Sequence, residues 1–321
     1  MSDLKMKIVY MGSAEFAVPA LEALVKAGQK ITAAVTQPDR ARGRGGRIRP
    51  TPVGLYAETA GIPLLKPERL TGDEGFEKAL RQAAPDLIVV AAYGKILPEF
   101  ALKIPPLGCV NIHASLLPEY RGAAPVQRAI LDGKRETGVT LMYVAEELDT
   151  GDMISAAKTC VGDKNAGELT EELAMLGAEL LIGKLPLLAD GTAPRIPQDD
   201  SKATYAQKVD KAEGGLKFGQ AAEEIALRVR AMTPAPGAYV IKNDKRIGIT
   251  AARMLGADEI EAAYDGYTGA VPGTVLSVSR QGIAVRAGEG AILIEALKMP
   301  GRKAMPVAEY LKGNAFDIKS L

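Results

Sequence analysis

The residues best suited to chemistry lie in the stretch 111–118. His113 is the only histidine in a chain of 321 residues, so imidazole proton chemistry would have to take place there. Asn111 precedes it by two positions and offers an amide donor for a developing oxyanion. Asp149 lies downstream on an acidic turn, where a carboxylate could orient the imidazole. An amide, an imidazole and a carboxylate together suit acyl transfer to an amine.

A structural reading of the same residues stays open. A lone histidine after an apolar strand is often a half-buried residue with no catalytic role, and this reading predicts that replacing His113 leaves function intact. Glu147 or Asp152 could also act in place of Asp149. Glu146 and Glu147, in contrast, are typical of a solvated acidic turn.

Apolar runs predict the elements that position these groups. Strand, helix and strand follow one another at the start of the chain, which favours a parallel sheet with a right-handed crossover. The strand that carries Asn111 and His113 projects both from one face, near the carboxyl edge where α/β sheets bind ligands. The loop after the first strand has one glycine, so a dinucleotide fingerprint is not indicated. The predicted strands are residues 7–11, 31–35, 86–92, 109–113, 137–145 and 153–161.

Residues 38–50 have a different character. Five arginines alternate with three glycines there, at positions Arg40, Arg42, Arg44, Arg47 and Arg49. We expect a mobile loop, because glycine permits many backbone conformations. Five like charges in ten residues repel one another unless a polyanion neutralises them. A phosphate-binding role is therefore favoured over a merely solvated loop.

The second part of the chain follows a polar, proline-containing stretch at 190–204, which we interpret as a linker. Residues 205–321 then contain a helix at 221–232 and about five short strands separated by turn glycines. This pattern predicts a small β-barrel of the oligonucleotide-binding (OB) type. The same residues carry 16 Lys and Arg against 13 acidic residues, an excess too mild to establish nucleic-acid binding.

Composition excludes several classes of protein. The net charge is +1, so any nucleic-acid site must be a local patch. Cys109 and Cys160 make neither a disulfide framework nor a metal cluster, and we expect both in the core and no bound metal. No apolar run of about 18 residues predicts a membrane span. The N-terminus does not resemble a signal peptide, so a bacterial cytoplasmic location is expected.

Several motifs together resemble one family over nearly the whole chain and in order. They are MGSAEFAVP at 11–19, QPDR at 37–40 with GRG at 43–45, AYGKILP at 92–98, NIHASLLPEYRGAAP at 111–125 and LDTGD at 148–152. They are similar to those of the methionyl-tRNA formyltransferases, a branch of the folate-dependent formyltransferase family. Asn111, His113 and Asp149 match motifs shared by the whole family. The Arg-rich stretch and the C-terminal barrel match the tRNA-specific branch.

The resemblance implies a Rossmann-like, mostly parallel catalytic domain at 1–189 and an OB-like, tRNA-binding domain at 205–321. The donor would be 10-formyltetrahydrofolate and the acceptor the α-amine of methionine on initiator tRNA, with the chain acting as a monomer. The implied catalytic residues are Asn111, His113 and Asp149. The implied folate-binding residues are Tyr93, Gly94, Ile96, Leu97, Ser115, Leu116, Leu117 and Pro118. The implied tRNA-binding residues are Arg40, Arg42, Arg44 and Arg47.

Two points qualify the acceptor and the second domain. The family often has a tryptophan in the Pro-x-Pro segment of its second domain, where this chain has Pro234, Ala235 and Pro236 and no tryptophan at all. A formyltransferase for a small amine, such as an amino sugar nucleotide, is the alternative. Such an enzyme has less reason to carry the arginines at 40–49.

Overall fold

In a computed structural model, described over residues 5–42, 46–263 and 269–321, strands and helices alternate first and β-strands then predominate. The strands are β1 (Lys7–Gly12), β2 (Lys30–Val35), β3 (Arg40–Arg42), β4 (Arg47–Arg49), β5 (Leu64–Leu65), β6 (Leu87–Ala91), β7 (Cys109–His113), β8 (Arg121–Gly122), β9 (Glu136–Tyr143), β10 (Met153–Cys160), β11 (Tyr205–Ala206), β12 (Ala238–Lys242), β13 (Lys245–Met254), β14 (Val275–Ser279), β15 (Gly282–Arg286), β16 (Ala291–Lys298) and β17 (Met305–Pro306). The helices are α1 (Val18–Lys26), α2 (Pro52–Thr59), α3 (Glu74–Ala83), α4 (Glu99–Lys103), α5 (Pro125–Leu131), α6 (Ala166–Ala189), α7 (Ala222–Met232), α8 (Ala257–Ala263) and α9 (Val307–Tyr310).

The chain forms two compact units, and neither is continuous in sequence. The first contains Met1–Pro125, Glu136–Cys160 and Thr170–Ala206, and the second contains Val126–Arg135, Val161–Leu169 and Gln207–Leu321. Residues 190–204, interpreted above as a linker, belong to the first unit. Within it, the backbones of Met153 and Ile196 exchange two hydrogen bonds.

A seven-stranded sheet organises the first unit, in the order β10-β9-β7-β6-β1-β2-β5. The strands from β7 to β5 pair in parallel, whereas β9 and β10 are antiparallel. The predicted α/β class with a mostly parallel sheet is therefore confirmed. Every residue of β6 is buried, as its unbroken apolar sequence predicts for a strand covered on both faces.

The edge strand β10 corrects one sequence prediction. Buried and more exposed residues alternate along it, and Cys160 at its end is exposed, whereas Cys109 on β7 is buried. The prediction that both cysteines lie in the core is wrong for Cys160. An edge strand has one half-covered face, so an apolar residue near its end need not be buried.

On either side of residues 43–45, the arginine-rich segment forms strands rather than the mobile loop that the sequence predicts. β3 and β4 form an antiparallel hairpin in which Arg40 pairs with Arg49, Ala41 with Ile48 and Arg42 with Arg47. The alternation of arginine with Ala41 and Ile48 has the two-residue period of a strand, although the charges conceal it in the sequence. Arg44 lies outside the described residues.

Buried threonines hold the ends of this hairpin segment. The hydroxyls of Thr36, before β3, and Thr51, after β4, hydrogen-bond each other at 2.5 Å, and both side chains are buried. Thr51 also caps α2 by accepting from the backbone N–H of Gly54 at 3.0 Å. The charged hairpin therefore extends from an anchored base.

The second unit is built on an antiparallel sheet in the order β12-β13-β16-β15-β14, with β17 paired to β16. Its core lies between this sheet and α7, where Ile225 and Val229 are fully buried with Ile292 and Ile294 of β16. Register shifts in β13 interrupt its pairing with β16, and bulges of this kind bend strands. The predicted helix at 221–232 and the five predicted strands are confirmed. Short α8 and α9 were not predicted.

Within the described ranges, no helix combines the length and the apolar character that a membrane crossing requires.

Candidate active site

β7 positions two of the three predicted catalytic side chains. This strand lies between β6 and β9, and its register places Asn111 beside Val90 on one side and Met142 on the other. Asn111 and His113 are two positions apart, so both project from the same face of the strand. His113 is its last residue, at the carboxyl edge of the parallel strands.

The imidazole of His113 is buried, with 6% of the residue exposed, and both ring nitrogens have neighbours. Nε2 lies 2.9 Å from the backbone oxygen of Tyr120. A carbonyl oxygen only accepts hydrogen bonds, so this geometry assigns a proton to Nε2. Nδ1 lies 3.6 Å from Oδ2 of Asp149. That spacing is too long for a direct hydrogen bond but suits an ion pair when the ring gains a second proton.

Asp149 is held in place by backbone groups. Its Oδ2 accepts a hydrogen bond from the N–H of Gly122 at 2.9 Å. Its φ of +57° lies in the left-handed region, which non-glycine residues seldom adopt. Two residues later, a Cβ on Gly151 would lie 1.9 Å from the backbone oxygen of Tyr143. The turn therefore requires glycine there and keeps one shape.

The other carboxylates of this turn do not reach the imidazole. Glu146 and Glu147 are exposed, as the solvated reading predicts. Asp152 faces Arg195, whose Nη1 lies 3.9 Å from its Oδ2. Asp149 alone of these four forms an ion pair with His113 in the described part of the chain.

Asn111 differs from its neighbours because it is partly exposed, whereas Ile112 and His113 are buried. Within the described residues, its side-chain amide has no hydrogen-bond partner. An amide with open donors beside a buried imidazole can bind a carbonyl oxygen or stabilise an oxyanion.

The turn after β7, residues 115–118, is closed by Thr140 of β9. The hydroxyl of Thr140 donates to the backbone oxygen of Ser115 at 2.7 Å and accepts from the N–H of Leu117 at 3.1 Å. Ser115 and Leu117 are buried, and the Ser115 hydroxyl donates to the backbone oxygen of Glu119. Leu116 and Pro118 are partly exposed.

The loop at 93–98 follows β6 at the same carboxyl edge. Tyr93 is buried, its backbone oxygen accepts from the Gln37 amide at 2.8 Å, and its hydroxyl has no partner within the described residues. Burial raises the pKa of Tyr93 to about 12. Gly94 has φ of +78°. Leu97 is buried in the core cluster, whereas Ile96 is 70% exposed.

Three of the four predicted tRNA-binding arginines, Arg40, Arg42 and Arg47, lie on β3 and β4, and the fourth, Arg44, lies outside the described residues. Arg40 is exposed. Arg42 and Arg47 pair through their backbones, and nothing further is described of their side chains. In the predicted catalytic set, the structure pairs His113 with Asp149 and places Asn111 two residues before His113 on the same face of β7.

Sequence reasoning missed three contributors to the site. Tyr120 supplies the carbonyl partner of His113, Thr140 closes the 115–118 turn, and Gln198 donates to the backbone oxygens of Asp149 and Gly151 at 2.8 Å each. Tyr120 lies inside the 111–125 motif, which offered a signal. Gln198 lies 49 positions from Asp149, in a stretch whose composition suggests only a loop.

Within residues 5–42, 46–263 and 269–321, no three histidine, cysteine, aspartate or glutamate residues group in a way that could hold a metal ion.

Solved structures with the same fold include two in complex with folate compounds. One is HypX from Aquifex aeolicus in complex with tetrahydrofolic acid, with a TM-score of 0.66 and 18% identity over 96% of this chain and 47% of that one. Another is an N-formyltransferase from Helicobacter canadensis in complex with folinic acid and dTDP-3-aminofucose, with a TM-score of 0.64 and 18% identity over 90% of this chain and 98% of that one. At this identity the likeness concerns the fold alone.

Sequence comparisons are more specific. Residues 6–185 match the formyl transferase family and residues 208–315 match the formyl transferase C-terminal domain. The methionyl-tRNA formyltransferase of Moorella thermoacetica is 43% identical, and that of Halorhodospira halophila is 44% identical. Each alignment covers 96% of this chain and 96% of the relative. The chain therefore belongs to the formyl transferase family, in its methionyl-tRNA formyltransferase branch.

Proposed function

We propose that this chain transfers the formyl group of 10-formyltetrahydrofolate to the α-amine of methionine carried by initiator tRNA. Family membership and the names of the relatives support formyl transfer and this acceptor. The observation that carries the proposal is the pairing of His113 with Asp149 at the carboxyl end of β7, with the Asn111 amide on the same strand face and open to a ligand.

The mechanism follows from these three side chains. When the amine attacks, a C–N bond forms at the formyl carbon, and Asn111 donates to the oxygen on which negative charge develops. His113 accepts the amine proton at Nδ1, because its Nε2 already donates to Tyr120. The proton then passes to the folate nitrogen as its bond to the formyl carbon breaks. Folate is consumed as a substrate, so the residues need only bind it and transfer the proton to its nitrogen as the bond to the formyl carbon breaks.

Asp149 stabilises the charged form of the ring. At 3.6 Å it is close enough to attract an imidazolium, and its own position is set by the Gly122 N–H. General acid–base assistance of this kind contributes about 10²–10⁴-fold to a rate. Loss of one oxyanion donor costs about 10²–10³-fold.

We place the folate against the loops that border the three groups. The exposed Ile96 and the partly exposed Leu116 and Pro118 would contact it directly. The buried or turn-forming members of the predicted set, which are Tyr93, Gly94, Leu97, Ser115 and Leu117, would shape the wall behind them. The complex of HypX with tetrahydrofolic acid supports a folate in this fold.

The tRNA would be bound by charge at two places. We assign the arginine hairpin, with Arg40, Arg42, Arg44 and Arg47, to phosphates of the acceptor arm. We assign the antiparallel sheet of residues 205–321, proposed to close as an OB-like barrel, to the rest of the tRNA. The chain is proposed to act as a cytoplasmic monomer.

A single assay tests the proposal. The purified chain is incubated with 10-formyltetrahydrofolate and either methionyl initiator tRNA or dTDP-3-aminofucose, and formylated product is measured. We expect product with the tRNA only. Formylation of the sugar nucleotide alone would favour the small-amine alternative, and no product with either would contradict formyl transfer.

Binding to tRNA has its own test. Filter binding at increasing salt should show a steep fall in affinity, because each neutralised phosphate releases counterions. A salt-independent affinity would contradict the assignment of the arginine hairpin.

A further inference from the structure

The geometry points to Gln198 and Arg121 as positioning residues that fix the Asp149 turn, and hence the His113 imidazole, from the far side of the active site. This inference rests on the proposed catalytic roles of Asn111, His113 and Asp149. Gln198 belongs to a stretch that overlaps the residues interpreted above as a linker and is defined here as the bracing segment, residues 196–206; Arg121 lies on β8 and pairs with it. All of them lie in the first unit.

The first arm of the brace runs from Gln198 to the Asp149 turn. The amide Nε2 of Gln198 donates to the backbone oxygens of Asp149 and Gly151, each at 2.8 Å. These bonds use both amide hydrogens, and one of them is accepted by the backbone oxygen of Asp149, the residue with the left-handed backbone. Because that conformation is costly for a non-glycine residue, the turn needs partners on both sides to keep it.

Gln198 is itself aimed by a buried charge. Its Oε1 accepts from Nε of Arg121 at 3.0 Å. The Arg121 side chain is 3% exposed, and its Nη2 donates to Oδ1 of Asp200 at 2.6 Å. A buried guanidinium is costly unless it is paired. Arg121 therefore locks the orientation of the Gln198 amide so that its N–H groups face the turn.

The second arm of the brace holds Tyr120, whose backbone oxygen is the partner of the His113 imidazole. The hydroxyl of Thr204 accepts from the N–H of Tyr120 at 2.8 Å, and the backbone oxygen of Thr204 accepts from the N–H of Arg121 at 2.9 Å. β11 then pairs in parallel with β8, and a Cβ on Gly122 would lie 2.9 Å from the Ala206 oxygen. Gly122 is the residue whose N–H holds Asp149.

Both neighbours of the His113 ring are thus tied to one stretch of chain. Asp149 is held through Gln198 and Gly122, and the Tyr120 carbonyl is held through Thr204. Within the segment, Gln198 is partly buried between exposed neighbours at 196–197 and 199–202. A displacement of about 1 Å in a catalytic group can cost about 10²-fold in rate, so a brace at this point bears directly on turnover.

The test separates the two ends of the Gln198 side chain. Gln198→Glu keeps the acceptor for Arg121 and removes both donors to the turn, whereas Gln198→Met removes both ends at similar volume. Ser201→Ala is the matched control, because the Ser201 hydroxyl of the same segment bonds only Asp199 among the described residues. We expect both Gln198 variants to lower kcat about tenfold or more, with KM for both substrates within about twofold. Ser201→Ala should match the wild type.

The sole histidine supplies a readout that does not depend on turnover. In chain labelled with ¹⁵N-histidine and carrying no histidine tag, the ring nitrogens of His113 are the only imidazole signals. We expect their chemical shifts to move in Gln198→Glu and to stay in place in Ser201→Ala. Unchanged shifts together with unchanged kcat in Gln198→Glu would overturn the inference.

The two proposals fail in different ways. If the wild type transfers no formyl group, the proposed function fails, while the histidine spectra still decide whether Gln198 positions the ring. If Gln198→Met does not fold, Gln198→Glu decides, because its carboxylate retains the pair with Arg121. A normal spectrum with wild-type kcat in that variant contradicts the brace even when the enzyme is active.

Discussion

The His113 cluster and the arginine hairpin are both polar, but they are held in opposite ways. In the cluster, the ring and the Asp149 carboxylate are nearly buried, and each has backbone partners within the first unit. In the hairpin segment, Thr36 and Thr51 at the base are buried, whereas Arg40, Ala41, Ile48 and Arg49 are exposed to solvent. A group that transfers a proton must be held in position before the substrate binds. A group that binds the phosphates of a large ligand can instead remain exposed to solvent and change its conformation.

The largest expected effect comes from removing the imidazole. His113→Ala should lower kcat for formyl transfer by about 10²–10⁴-fold, because the proton relay is lost. Glu147→Gln, on the same turn as Asp149 but exposed, should leave kcat unchanged. Steady-state kinetics with both substrates would measure this. If His113→Ala retained near-normal turnover, the ring would be structural. The His113 cluster would then not be a preorganised catalytic site that contrasts with the arginine hairpin.

Loss of the open amide comes next. Asn111→Ala should lower kcat by about 10²–10³-fold, since one donor to the developing oxyanion disappears. The KM for each substrate should change little, because the interaction strengthens only in the transition state. A rise in KM with unchanged kcat would instead make Asn111 a ground-state binding residue.

The hairpin should respond in binding rather than in chemistry. Arg40→Ala should raise the KM for tRNA a few-fold at unchanged kcat and reduce the slope of log affinity against log salt by about one. Arg81→Ala removes the same charge from α3, where Arg81 is paired with Glu77 on the surface. If both variants weakened tRNA binding equally, net charge rather than the hairpin would account for the affinity.

The smallest expected effect concerns the stability contributed by an ion pair that takes no part in the chemistry. In the second unit, Nη1 of Arg128 lies 2.7 Å from Glu213, and its hydrogen bond holds the pKa of Glu213 below the usual value for a carboxyl group. A lowered native pKa stabilises the fold above the unfolded value of about 4.3 and loses that contribution as pH falls further. Glu213→Gln should therefore lower Tm slightly at pH 7.

The difference in Tm between Glu213→Gln and the wild type should shrink as the pH falls below about 4.3. Thermal melts between pH 7 and pH 3 would measure it, with kcat at pH 7 unchanged. An equal difference in Tm at both pH values would show that the glutamate stabilises the fold by packing rather than by charge.

Patterns of a few residues were readable from the sequence. The unbroken apolar run of β6 predicted a buried strand, and the spacing of Asn111 and His113 on β7 predicted a shared face. The β3–β4 hairpin was not predicted, because arginines dominate the composition of these strands. Ala41 and Ile48 are their only apolar residues, too few to reveal the alternation of apolar and polar residues that is typical of a strand. The bracing segment was not predicted either. Its hydrogen bonds to the Asp149 turn and to Tyr120 join residues 47 to 84 positions apart, and no local pattern encodes them.

By itself, the sequence determined the chemical groups available. It limited the chain to one imidazole, placed an amide two residues before it and put four carboxylates on a later turn. Only the tertiary structure decided which carboxylate meets the ring. Asp149 does so because its left-handed backbone, the Gly122 N–H and the Gln198 amide direct it inward, while Glu146 and Glu147 face solvent. That choice depends on hydrogen bonds between distant segments, which exist only once the sheet has formed.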